Sequence, residues 1–528
     1  MHPDFRSAMN WLHTWAGVIL GSIMFVMFFM GTLSVFKAEI DQWMLPQTRL
    51  SMPAQPPSLD DIYDAIRTRV GEAPQAIRFV MPSHGFPAIS VYVFAQDGTR
   101  SDLFFDPNTL EETAPMDSLS ARFFLYPMHY RLTPLPNGRW FSAVVAMFML
   151  TMMVSGVVIH HKIFIEFFTF RPSKKLPRSS LDLHNLTSVL AMPFHIVITL
   201  TGVIILVGLY FEPSLSAAYP TAEAPRQQLR YEIEGMQDVE PIGTALGRRI
   251  ARLDPMAQTA RTLWQGERVA DIYIEYPDDK GGVVWLYKSV ADQVSSYNMP
   301  LQFSVGEGAL ISTYQTSLGY DVQNVLAGMH LIFFEHWTLR WLYFLAGTAG
   351  CIMIATGYIY WLETRRKEHA RQGRRSVRFV EGFAIWGIMG LMAATAAFFF
   401  INRALPPGLW TWQSIPKPFL EPILFMLVWL CALLHGWVRG PKAWFDQAVL
   451  ISFLLFGAVC LNWLITGDHP LRALKDGKTA ILVMDVLLLC FAAIALAAGM
   501  RLRANLQAAG AHATKAAKNV KIGSVRPQ

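Results

Sequence analysis

The chain alternates long apolar runs with polar segments, and eight of the runs can cross a bilayer: 11–37, 140–161, 184–211, 339–361, 381–400, 419–437, 448–466 and 480–500. About 20 apolar residues suffice for a helical span, because a helix rises about 1.5 Å per residue through a hydrocarbon layer about 30 Å thick. The polar segments differ among themselves. Residues 38–139 and 212–338 are long and of mixed periodicity, whereas the connections at 162–178 and 362–378 are short and basic. One carries Lys162, Arg171, Lys174, Lys175 and Arg178, the other a run of arginines from Arg365 to Arg378, and both are expected to face the cytoplasm. The tail after Arg501 is basic too, which places both termini on that side and the two long segments on the other. The first run has no small-residue cleavage site and reads as a retained helix.

In the first long segment Ile62, Ile66 and Val70 follow a helical spacing. The runs 76–81, 88–95 and 101–105 are strand-like, with Asp97-Gly98 and Asp106-Pro107 as turn signals. The second segment repeats this order, with a helix expected at 242–253 and strands at 269–276, 282–288 and 292–298. Each segment is therefore predicted to be a helix packed on a small antiparallel sheet. The expected architecture is an α-helical polytopic membrane protein with about eight transmembrane helices and two small α+β domains. Its parts are 1–37 (first span), 38–139 (first α+β domain), 140–211 (spans two and three), 212–338 (second α+β domain) and 339–366 (fourth span). A basic linker at 367–380, four further spans in 381–503 and a basic tail at 504–528 complete the chain.

Composition agrees, with 53% hydrophobic and only 16% charged residues. The net charge of +6 comes from basic residues beside helix ends, which is membrane topology and gives no nucleic-acid footprint. Cys351, Cys431, Cys460 and Cys490 all fall inside spans, so no disulfide framework is implied. No P-loop, dinucleotide fingerprint, serine-nucleophile motif or metalloprotease motif occurs, which argues against hydrolysis of ATP or peptides. Asp485, near the start of the last span, is expected to be an ordinary interfacial carboxylate.

The histidines change the picture. Ionisable groups within spans are expensive and point to function. His184 and His195 stand on one apolar run, and on a straight helix they would share a face about 16 Å apart. His13 begins the first span, His160 and His161 end the second, and His184 begins the third, so three helices bring imidazoles to similar depth. His129 precedes the second span. His330 and His336 precede the fourth, on a helix expected to run from about Asp321 to Glu363, where six residues turn about 240° and leave only one facing a common ligand. Stacked imidazoles at matching depths suit two haems. Without C-x-x-C-H these would be non-covalent and b-type.

The chain resembles the PepSY-associated transmembrane family, particularly its ferric-siderophore reductase-like and iron-uptake-associated members. The matching stretches are LHTWAGVILGSIMFVMFFMGTLSVFKAEID at 12–41, MHYRL at 128–132, SGVVIHHKIFIEFFTFRP at 155–172, LDLHNLTSVLAMPFHIVITLTG at 181–202, and MHLIFFEHW through ATGYIYWLETRR at 329–366. The resemblance implies a four-helix core, PepSY-like domains on the periplasmic face, two bis-histidine b-type haems, and electron delivery to a ferric siderophore or other ferric chelate. Location in the bacterial inner membrane follows from it. His13, His129, His184, His195 and His330 carry over as haem-iron ligands, with His160, His161 and His336 as further candidates. By depth, the inner haem would draw on His13, His160 or His161, and His184. The outer one would draw on His129, His195 and His330, with His336 in reserve; His195 could instead pair with His160. Arg131, Arg139 and Arg340 at the outer face, and Lys162 and Arg178 at the inner face, are candidate partners for haem propionates. No flavodoxin-like or nicotinamide-reductase domain is fused to the chain, which leaves open an unidentified cytoplasmic or membrane electron donor, and lipid is the surrounding partner. The competing readings are a non-enzymatic scaffold or sensor whose PepSY-like domains bind a peptide or protease, and a transporter of iron or its chelate.

Overall fold

The computed structural model describes residues 3–70, 74–83, 85–160, 171, 175–220, 225–234, 239–313, 316–372, 376–408 and 410–523. Seven single helices among them are long and apolar enough to span a membrane: Asp4–Ser34, Gly138–Ile159, Trp337–Arg366, Val377–Ala404, Lys417–Arg439, Lys442–Thr466 and Thr479–Ala504. An eighth candidate is a bent pair, Leu176–Leu190 and Met192–Ile205, meeting at 66°. The expected spans are therefore present, with the third one broken.

That break corrects the picture of His184 and His195 on one straight face. Pro193 lies at the start of the second half. Its ring has no N–H to donate and collides with the carbonyl four residues earlier, which bends or breaks a helix. Ala191 takes up the change at φ −97°, ψ 6°. A second correction concerns the fourth span. In place of one helix from Asp321 to Glu363 there are two, Leu318–Leu331 and Trp337–Arg371. Ile332 adopts the left-handed conformation, φ 54°, and ends the first. At the break a tertiary hydrogen bond replaces a helical one: Glu335 N–H donates to the Ala291 carbonyl at 2.9 Å.

The chain divides into two compact units, one of residues 1–44, 117–193 and 345–528, the other of 45–116 and 194–344. In the first, the membrane unit, the Asp4–Ser34 helix packs on Gly138–Ile159. Tyr358 joins the first and fourth spans: its hydroxyl donates to the Val18 carbonyl at 2.9 Å and accepts from Ser22 N–H at 3.0 Å. The Val377–Ala404 helix buries Ala384, Ala393, Ala394, Ala396 and Ala397, small side chains that let neighbouring helices approach closely. Asp485 is not interfacial. It is 1% exposed and accepts from the Trp43 and Trp463 indole N–H groups, both at 2.7 Å.

The second unit holds one antiparallel sheet of seven strands. The first segment supplies β1 (Ala76–Val80), β2 (Ile89–Phe94) and β3 (Arg100–Phe105). The second supplies β4 (Val269–Glu275), β5 (Val283–Lys288), β6 (Leu301–Ser304) and β7 (Leu310–Ser312). Their order is β3-β2-β1-β4-β5-β6-β7, so the segments read as separate domains share a sheet. The seam is the β1–β4 pairing, Ala76 opposite Glu275 through Val80 opposite Asp271. Joining there removes two exposed strand edges at once. It also fuses the cores, since Ile77, Phe79, Ile272 and Ile274 are fully buried in one cluster.

The repeat is visible in the helices of this unit, Leu59–Arg69 and Leu253–Leu263, each with an Asp in its first turn. Each Asp caps the other helix: Asp60 accepts from the N–H groups of Leu253 and Asp254 at 3.0 and 3.2 Å, and Asp254 from Leu59 N–H at 2.9 Å. The helix expected at 242–253 therefore lies about one helix length further on. The strand expected at 292–298 is irregular, and β6 and β7 follow it.

Candidate functional site

Four of the histidines are held in the same way. His13 Nδ1 lies 3.0 Å from the Met152 carbonyl oxygen, His129 Nδ1 2.7 Å from that of Met27, and His184 Nδ1 2.8 Å from that of Met353. In the sheet-bearing unit, His330 Nδ1 lies 2.8 Å from the Ile198 carbonyl. Each carbonyl belongs to a neighbouring helix. A carbonyl only accepts, so each Nδ1 carries the hydrogen, and in the neutral ring Nε2 is left with the lone pair that binds metals. Orientation of a ligand imidazole by a hydrogen bond to its other nitrogen is the rule at metal centres.

The reason each ring can lie so close to a helix backbone is in the sequence. Four residues beyond each accepting carbonyl stands a glycine: Gly156 after Met152, Gly31 after Met27, Gly357 after Met353 and Gly202 after Ile198. In a helix that residue is the one hydrogen-bonded to the same carbonyl, so its side chain would overhang it. A Cβ at Gly31 would stand 2.8 Å from His129 Nδ1, and one at Gly202 2.8 Å from His330 Cε1. At Gly357 and Gly156 it would stand 3.2 Å from His184 Nδ1 and 3.3 Å from His13 Cε1. Absence of a side chain is therefore what admits the ring at each dock.

Within the membrane unit, His13 and His184 come together with ring centroids 6.4 Å apart and planes at 85°. A metal–imidazole bond of about 2 Å puts the ring centre about 3 Å from the metal, so two rings on opposite sides of one ion stand about 6 Å apart. The spacing suits two imidazoles that share one metal ion. His13 is further held by Ser155, its Nδ1 lying 3.1 Å from that hydroxyl. Among the described residues no group of three or more His, Cys, Asp or Glu could hold a metal.

The other candidates are placed differently. His195 is 1% exposed and stands edge-on to Phe194, 5.8 Å between centroids. His160 follows the end of the second span, its N–H bonded to the Gly156 carbonyl, and His161 lies outside the described residues. His336 is exposed in the break of the fourth span and accepts from Leu339 N–H at 3.4 Å, a helix-capping contact. Arg131 and Arg139 bracket the ring of Tyr130, 5.3 and 5.5 Å from its centre, directly beside His129. Gly138 makes this possible by packing against the Arg131 carbonyl, where a Cβ would lie at 1.5 Å. Arg340 is buried over Trp337. Arg178 pairs with Asp182 at 3.1 Å, and Lys162 lies outside the described residues.

The four docking glycines were not singled out in the sequence. Their signal is a glycine at a fixed offset from a carbonyl on another helix, and it becomes legible only when helix neighbours are known.

The family described as PepSY-associated TM region matches residues 10–364, a stretch containing every docked histidine and docking glycine. An uncharacterised protein of Pseudomonas aeruginosa is 24% identical over 380 residues, covering 70% of this chain and 91% of its own length. The stretch matched is well over half of the sequence, and the chain belongs to the PepSY-associated transmembrane family.

Proposed function

We propose that this chain is a di-haem b oxidoreductase of the bacterial inner membrane that delivers electrons to a periplasmic ferric siderophore or ferric chelate. The observation that carries the reading is the His13–His184 pair, two imidazoles with Nδ1 tied to backbone and ring centres 6.4 Å apart. A structural histidine needs one hydrogen bond. Two at this spacing, each held by a carbonyl over a glycine, suit axial ligation.

His13 and His184, as neutral imidazoles, would suit a bound haem to one-electron transfer in place of oxygen chemistry. His13 and His184 would hold one haem. His129, docked in the same manner within the membrane unit, is equipped as a ligand of a second. Arg131 and Arg139 offer cationic N–H groups beside His129 for a propionate carboxylate. Reduction of the substrate releases iron because hard oxygen donors hold Fe(III) far more tightly than Fe(II). The donor would be a separate protein or a membrane-soluble carrier, and the sheet would face the periplasm.

The test is the visible spectrum of the detergent-purified chain, oxidised and dithionite-reduced, with haem counted per chain and a ferric chelate added to the reduced sample. About two b-type haems, reoxidised by the chelate, are expected, with one lost in His13→Ala and the same one in His184→Ala. A haem-free protein from haem-replete cells would overturn the reading and leave a scaffold or transport role. Haem that is not reoxidised by any ferric chelate would keep the cofactor and remove the substrate.

A further inference from the structure

The four C-terminal spans take no part in the histidine docks, yet they bury a charged cluster against the segment from Asp117 to Arg122, all within the membrane unit. Three carboxylates meet that segment. Asp41 accepts from Ser120 Oγ at 2.7 Å and from the N–H of Ala121 at 2.9 Å, with the Arg122 guanidinium 3.5 Å away. Asp117 is paired with Lys417 at 2.9 Å and accepts from Gly408 N–H at 3.2 Å. The third, Glu421, is one helical turn beyond Lys417 and fully buried. Its two described contacts are neutral: Ser118 Oγ at 2.5 Å and Asn402 Nδ2 at 2.9 Å.

The charges here do not balance. Arg122 answers Asp41 and Lys417 answers Asp117. Arg403, next to Asn402, is turned to the Trp43 and Met44 carbonyls and lies over the Trp43 ring. Asp485 is satisfied by two indoles. An ionised Glu421 would be a buried charge with no cation of its own, which the interior of a membrane protein tolerates poorly. Ser118 Oγ donates to one Glu421 oxygen and Asn402 Nδ2 to the other, and Lys417, one turn away, is taken up by Asp117, so neutrality rests on the missing cation. Ser118 Oγ, already accepting from Ser120 N–H at 3.0 Å, can accept or donate. The Asn402 Oδ1 atom is buried without a hydrogen-bond partner. The chain is also held open there by Ser120, a buried non-glycine residue at φ 50°.

We propose that Glu421 is a proton-binding site of the C-terminal helices, a neutral acid beside the two ion-paired carboxylates Asp41 and Asp117. This inference is independent of the haem reading. It gives two of the four extra spans, Val377–Ala404 and Lys417–Arg439, a role in enclosing a protonated acid.

The experiment is infrared spectroscopy of the full chain in detergent, in H2O and D2O at neutral pH. A carboxylic-acid C=O band that shifts on deuteration is expected in the wild type. It should vanish in Glu421→Gln, persist in Asp117→Asn and change frequency in Ser118→Ala. If no such band exists, or if it survives in Glu421→Gln, the proposal is overturned. Should Glu421→Gln not accumulate, the Ser118→Ala shift decides alone, since an unchanged band there would assign the proton elsewhere.

Discussion

Adding one methyl group at each docking glycine tests the histidine site with an internal scale. Gly31→Ala places a Cβ 2.8 Å from His129 Nδ1 and 2.9 Å from Cε1, and Gly202→Ala places one 2.8 Å from His330 Cε1. Nonbonded atoms rest at about 3.5–4.0 Å, so the ring must retreat by about 0.7 Å or more. Nδ1–carbonyl contacts of 2.7 and 2.8 Å are then carried to the edge of hydrogen bonding or beyond it. Overpacking costs about 1–3 kcal/mol and the hydrogen bond about 1 kcal/mol more. Loss of such an orienting partner lowers metal affinity by about 10–100-fold. Gly357→Ala and Gly156→Ala, with nearest approaches of 3.2 and 3.3 Å, ask the ring to give only a few tenths of an ångström. The control is Gly17→Ala on the first span, whose Cβ would meet only Met152 Sδ at 4.0 Å. Haem per chain, measured on the denatured protein after purification and again after incubation with apomyoglobin, should rank Gly17→Ala above the 156 and 357 variants, and these above 31 and 202. Wild-type haem content and retention in both Gly31→Ala and Gly202→Ala, in protein that elutes and melts normally, would refute the docking argument.

Two further predictions concern the sheet-bearing unit. Burial alone would raise the Asp60 carboxyl, but the Leu253 and Asp254 N–H groups and Arg249 outweigh it and hold it below the ordinary carboxylate range. Its contribution to stability is therefore complete above that range and is lost as pH falls through the depressed value. Asp60→Asn should lower the melting temperature at neutral pH and converge with the wild type in acid; parallel curves at all pH values would refute this. Phe79→Ala, at a fully buried position opposite Ile272, should cost about 3–5 kcal/mol. Hydrogen exchange should then speed up in β1–β3 and β4–β7 together. Exchange confined to β1–β3 would mean two independent domains.

Much of this was open to reading from the sequence because the forces involved are local. Apolar length marked the spans, and strand-like runs at 76–81 and 101–105 became β1 and β3 with ends displaced by a residue. Histidine within apolar runs marked the candidate ligands, and His13, His129, His184 and His330 are the ones found docked on a helix carbonyl within their own units. What was hidden depends on partners far away in the chain. Pro193 could have announced the bend between His184 and His195, but a proline within the first turn of a new helix looks much like one in a continuous span. The break after Leu331 has no proline or glycine to mark it and exists because Ala291 captures the Glu335 N–H. The shared sheet was hidden for the same reason, since nothing in Ala76–Val80 names Val269–Glu275 as its neighbour. Asp485 near a helix end looked solvated, and two tryptophans from elsewhere in the chain enclose it.

The pairing of β1 with β4 has a consequence in time. β1 is complete early in synthesis, but its partner follows only after more than 160 residues that include the second and third spans. At about 5–20 residues per second, the first three strands wait on the order of ten seconds or longer with an unpaired edge of apolar residues. An edge of that kind recruits whatever strand arrives first. The nascent first half therefore has to be shielded, by the translocation machinery or a holding chaperone, until the intervening helices have been laid into the bilayer. A stall in inserting the second or third span would be felt first as aggregation of a half-built sheet.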